Sequence, residues 1–205
     1  MKTKLSKKRA ISTVLTTVII LVSSVVLGSG VVLYGTSLFQ GGTQQESIAV
    51  SNIKVWVHTT NLDGLAWGAA GVRNTGDKVV SVDKIQIRGT DIPFAQWYPD
   101  TVVSATVFSQ ALNHTGWIGA NSGGMLQTGS CVDGERINVQ TTGGSICGAV
   151  ASGPVAISPG TAMILYFQLN NGTLSSLDPG IDTSVNIFAG KAGSPQSITV
   201  QGIDP

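Results

Sequence analysis

Any chemistry in this 205-residue chain would have to come from few side chains: two histidines, two cysteines and eleven acids. His58 closes the alternating run Ile53-Lys54-Val55-Trp56-Val57-His58, and His114 lies 56 residues further on, inside Asn113-His114-Thr115. That spacing does not suit a metal pair, and no HExxH segment is present. The alternation predicts a surface or interface histidine at 58, and the triplet requires exposure at 114. Asp178 and Asp182 flank Pro179-Gly180. Two such carboxylates could approach a calcium ion, but far more often they simply frame a turn. There is no glycine-rich phosphate loop ending in Lys-Ser/Thr and no G-x-S-x-G elbow. These residues point to no catalytic group, no metal and no cofactor, so the chain is expected not to be an enzyme.

Two other constellations fit an exported protein. Cys131 and Cys147 stand in a Gly/Ser/Thr-rich stretch, where a disulfide is expected and two free thiols are the alternative. Closing a loop of that size would contribute roughly 3 kcal/mol in the chain-entropy model. Asn113-His114-Thr115 and Asn171-Gly172-Thr173 are N-glycosylation sequons, with Asn113 and Asn171 as acceptors. Of the four tryptophans, Trp56 and Trp67 read as core. Trp97, beside Tyr98, and Trp117 could instead line a contact surface with a neighbouring subunit or a sugar.

The element that must position all of this is at the front of the chain. Met1–Arg9, MKTKLSKKR, holds five of the twelve cations and no acid; Ala10 to Phe39 then runs thirty residues without a charge. As a helix that run would reach about 45 Å, more than a hydrocarbon core of about 30 Å needs. Lipid leaves backbone groups no external partner, so a helix is the expected form, and the basic flank predicts a cytoplasmic start with the rest outside. Beyond the leader, seven cations stand against eleven acids. A faintly acidic exterior argues against nucleic acid as a partner.

Three fates of this N-terminus are consistent with its residues. Gly28-Ser29-Gly30 could end a secretory signal peptide, although eighteen apolar-rich residues already precede it and Val31-Val32-Leu33-Tyr34 follow. An uncleaved anchor is the plain reading. The third turns on Lys7-Lys8-Arg9-Ala10 followed by Ile11-Ser12-Thr13-Val14. This junction resembles the class III leader of archaeal type IV pilins, whose peptidase cuts after a small residue that follows basic ones. The resemblance covers Lys7 to Phe39. It implies cleavage at Arg9, Ala10 and Ile11 by a prepilin-type leader peptidase, retention of the apolar helix, and assembly of those helices into a homopolymer. Thr13 stands where that family usually has proline. Leu15 stands where bacterial-type pilins carry glutamate, so their mode of subunit registration is not implied. An archaellin would show a glycine before the cut and a Gly/Glu/Ala-rich opening, which this chain lacks.

Within the helix the polar residues are all small. Ser24 and Gly28 form a small-xxx-small pair, a candidate packing face between neighbouring helices. The expected organisation is a basic leader at 1–10, an apolar helix at 11–39, a linker at 40–46 and an extracellular domain at 47–205. Ile53–His58, Leu65–Arg73, Val79–Val82, Ile85–Ile87, Val102–Phe108, Val155–Ile157, Thr161–Leu169, Ser184–Phe188 and Ser197–Val200 read as strands. Residues 110–153 read as a loop-rich insertion, with one strand-like piece at Arg136–Val139. With no helical crossovers between strands, the expected fold is a long N-terminal apolar helix carrying an all-β immunoglobulin-like sandwich. The expected function is a structural subunit of a cell-surface filament with an adhesive, glycosylated head, membrane-inserted as a precursor. An archaellin, or a single-span anchored binding module, is the alternative.

Overall fold

A computed structural model of the chain describes residues 4–42, 46–118, 123–131 and 137–204, with helix side chains described from Ser12 to Phe39. The chain divides into two units, Met1–Gln44 and Gln45–Pro205. The first is a single helix, α1 (Lys4–Gly42). It therefore includes part of the basic leader and runs past Phe39, because Gln40 to Gly42 can continue a helix already nucleated by thirty residues of propagation. Thr43–Gln45, the remainder of the expected linker, lie outside the described residues, as do Met1–Thr3.

The second unit is a β-sandwich. Sheet 1 has the strand order β12 (Gln201–Ile203), β1 (Ile48–His58), β2 (Ala66–Asn74), β9 (Ala162–Gln168) and β5 (Trp97–Asp100). Sheet 2 runs β11 (Ala192–Thr199), β10 (Asp182–Ala189), β3 (Val80–Ile87) and β4 (Thr90–Asp91), and β8 (Val155–Ile157) pairs the other end of β3's edge. Neighbours are antiparallel except β12, which lies parallel to β1. The core between the sheets follows from period-two patterning. Val80, Val82, Ile85 and Ile87 of β3 and Val185, Ile187 and Ala189 of β10 meet Val55, Val57, Ala70, Val72, Leu165 and Phe167 of sheet 1.

Sheet 1 is also covered on its other face. There Trp56, Trp67, Ala69, Ile164 and Tyr166 form a second apolar cluster with Tyr98, Trp117, Met125, Ile137, Val139 and Ile146. The insertion supplies that cover through the hairpin β6 (Ile137–Thr141) and β7 (Gly144–Gly148). A strand buried on both faces must read as a continuous apolar run, as Met163-Ile164-Leu165-Tyr166-Phe167 does. Arg136, expected to open β6, lies outside the described residues.

Two sequence expectations are corrected. Val102–Phe108 is not a strand: Ser104 caps α2 (Ala105–Phe108), its Oγ accepting the Val107 N–H at 3.3 Å, so the local cap prevails over the β-branched run. Trp97 and Trp117 do not line a surface. Trp97 is wholly buried and donates its indole N–H to the Ile92 carbonyl at 3.0 Å, and Trp117 packs in the second cluster.

Candidate functional site

α1 carries its apolar side chains all round rather than on one face. From Ser12 to Phe39 it is long and apolar enough to cross a membrane, and essentially none of it is covered by other parts of the chain. Five of its hydroxyls, those of Thr16, Thr17, Ser24, Ser29 and Thr36, donate back to the helix: Thr16 to the Ser12 carbonyl at 2.8 Å and Ser24 to the Leu21 carbonyl at 2.9 Å, for example. Such back-bonding removes the cost of carrying them in an apolar medium. A Cβ added at Gly28, Gly30 or Gly35 would meet nothing within 4 Å. Ser24 and Gly28 thus lie in an open stripe where another helix could approach closely. Arg9, Ala10 and Ile11 lie in the helical part of the chain, and their side chains are outside the described residues.

In the head, the first sequon is fastened from below. The Tyr166 hydroxyl donates to the Asn113 carbonyl at 3.0 Å, and the Thr115 hydroxyl donates to the Leu126 carbonyl. Burial pushes the Tyr166 phenol well above its usual range. Asn113 itself is exposed, as is Asn171, which sits in the turn after β9 where Gly172 takes φ +79°. Both acceptors are therefore open to solvent.

The two histidines, far apart in sequence, meet around Trp117. Ring centroids are 4.8 Å apart for His58–Trp117 and 4.4 Å for His114–Trp117, with Trp56 5.8 Å from His114. His58 is fully buried, which overturns its expected surface position, and His114 is half-buried. The cause is that the last four residues of β1, Val55–His58, are covered on both faces, so neither parity there points to water. The Nδ1 of His58 accepts from Asn61 N–H at 3.2 Å and Thr60 N–H at 3.3 Å; that of His114 accepts from Gly116 N–H at 3.2 Å. Each neutral ring then carries its proton on Nε2, and both Nε2 atoms lack a hydrogen-bond partner. A protonated Nε2 has no lone pair for a metal, so this tautomer opposes ligation. Burial first, and the nearby His58 second, lower the His114 pKa to about 4.

Cys131 and Cys147 form a disulfide, with Cα atoms 5.7 Å apart. It ties the strand-flanking loop to β7, where the Cys147 N–H also donates to Asp100 at 2.8 Å. The turn carboxylates are already engaged. Arg88 binds both oxygens of Asp178 at 2.8 and 3.0 Å and holds its pKa below the usual carboxylate value, while Asp182 accepts from Thr199 at 2.7 Å. Among the described residues no three His, Cys, Asp or Glu side chains gather as metal ligands. No protein-family model matches the chain, and no curated protein matches it either.

Proposed function

We propose that this protein is a structural subunit of a cell-surface filament, similar to archaeal type IV pilins. One observation carries the reading. The β-head closes its core from its own residues, while Ser12–Phe39 keeps its apolar side chains uncovered within the chain. Lipid is the first cover for such a helix, and neighbouring copies are the second. Exchange of lipid for protein gains no hydrophobic free energy, so close approach along a small-residue stripe such as Ser24 and Gly28 must supply the packing. The leader junction supports cleavage between Ala10 and Ile11 by a prepilin-type peptidase, with α1 retained as the new N-terminus. The heads then coat the filament outside the cell, carrying sugar at Asn113, Asn171 or both, and serving adhesion.

The test is the N-terminal sequence of the protein recovered from cell envelopes and from material sheared off cells. A start at Ile11 in the sheared fraction is expected. A start at Met1 confined to membranes would replace the filament by an anchored binding module, and a start near Val31 would make the head a secreted domain.

A further inference from the structure

The two ends of the head differ in charge and shape. The near end is where β1 begins, beside the last residue of β2, the first of β9 and the last of β5. The far end is where β1 finishes, beside β12 and the loops between β1 and β2 and between β9 and β10.

At the near end lies a cleft of about 680 Å³ between Arg73, Val102, Val103 and Phe108, rimmed by the hydroxyls of Ser104 and Thr161. Val102 is 90 % exposed. Arg73 makes no side-chain hydrogen bond or ion pair among the described residues, so an uncompensated guanidinium stands over an apolar wall. The far end has the opposite character. Leu62 and Leu177 are 93 % and 84 % exposed, and Asp63 in the loop after β1, Asp182 at the start of β10 and Asp204 beside Thr59 lie at the same end. Arg88, the cation at that end, is already held by Asp178.

Resting on the filament reading, we propose that successive heads dock head to tail, the far end of one copy seated in the Arg73 cleft of the next. The far end offers exposed leucines with carboxylates; the near end carries Glu46, Asp77 and Asp100 as well, but its cleft offers an apolar wall under a free guanidinium. Two far ends meeting would oppose carboxylate to carboxylate. A contact between two different patches of the same chain runs on as an open filament unless its rotation closes a ring, and a filament built on helices holds it open and is reinforced by it. The charges orient the encounter and set its register, and the leucines supply the buried area.

The experiment uses the full-length protein on cells, with Val102→Cys and Leu177→Cys separately and together, oxidised before shearing. The double variant is expected to give a ladder of covalent multimers in the sheared fraction, with neither single variant going beyond a dimer. Arg73→Glu in the double background is expected to lower ladder yield about fivefold, the scale of one exposed ion pair, and Arg73→Lys to leave it near the starting level. Filaments present without a ladder, or a dimer from Val102→Cys alone as abundant as the ladder, overturn head-to-tail docking and leave the filament reading standing. No sheared filaments from the unaltered protein would overturn that reading itself, independently of the cross-linking result.

Discussion

Protonating His114 would place a charge between Trp56 and Trp117 in a half-buried site, beside the second imidazole of His58. Its pKa falls from 6.5 to about 4 on folding, so the unfolded chain binds the proton first as pH drops. Stability from this group is therefore complete above about pH 6.5 and is lost progressively down to about pH 4, by on the order of 2 kcal/mol once partial exposure is allowed for. Asp178 works in a separate window. Its pKa lies below 3.8, so its pairing with Arg88 is kept above that value and lost only in stronger acid. We expect His114→Phe, which preserves the sequon, to flatten the fall in thermal midpoint between pH 6.5 and 4 in detergent while leaving the steeper loss below pH 4. An unchanged slope would show that the histidine does not titrate as its surroundings dictate. The sequence put His58 at a surface or interface and His114 in an exposed sequon, and no spacing signal could have joined them. Their meeting depends on Trp117, which the insertion delivers over β1 from a position 59 residues beyond His58.

At the scale of elements, the alternation of β3 and β10 was legible because one face of sheet 2 meets the core and the other meets water, although β3 read as two pieces split at Asp83-Lys84 and β10 as its middle, Ser184–Phe188. β5, β7 and β12 were not. Trp97-Tyr98-Pro99-Asp100 is short and holds a proline, the Gly144–Gly148 strand is glycine-bounded, and β12 follows β11 after a single residue, Val200. The insertion reads as loop because its apolar residues are sparse, yet Ile137, Val139 and Ile146 are enough to cap sheet 1. Among the described residues its hairpin forms a strand ladder only with itself, over five registered positions, so it relies on packing, the disulfide and bonds such as Thr128 N–H to the Asn138 carbonyl rather than on sheet continuity. Replacing Cys131 and Cys147 together by serine should cost about 3 kcal/mol for a loop of this length. Hydrogen exchange is expected to speed up at residues 137–148 while amides of β2 and β9, held by the inter-sheet core, keep their protection. Equal loss across all of these strands would mean that the cover and the sandwich unfold as one unit.

For the whole molecule, the division into an apolar helix and an all-β head was readable from the chain, because a thirty-residue uncharged run and a change of period at Ile48 need no tertiary information. Which cover the helix ends in was not readable, since the same apolar run and the same Ser24/Gly28 pair suit lipid and neighbouring helices alike. Gly28→Leu or Ser24→Leu fills an open stripe, where the added side chain meets no part of its own chain. Membrane insertion should then be unchanged and sheared filament reduced at least tenfold, measured by immunoblot of the two fractions; equal filament yield would remove these positions from the packing face. One further property follows from the placement of β1. The chain enters the head at Ile48, and β1 carries it along the full length of sheet 1, with β2 zipped to one side over Ile48–Val57 and β12 beside its last three residues. A tug between the entering chain and anything gripped at the opposite tip pulls along β1 rather than across it. The ladder with β2 is loaded in shear, so its bonds must slip together instead of peeling one after another. Under the proposed filament role, a head built this way would act as a tether, holding a cell against flow as much as touching a surface.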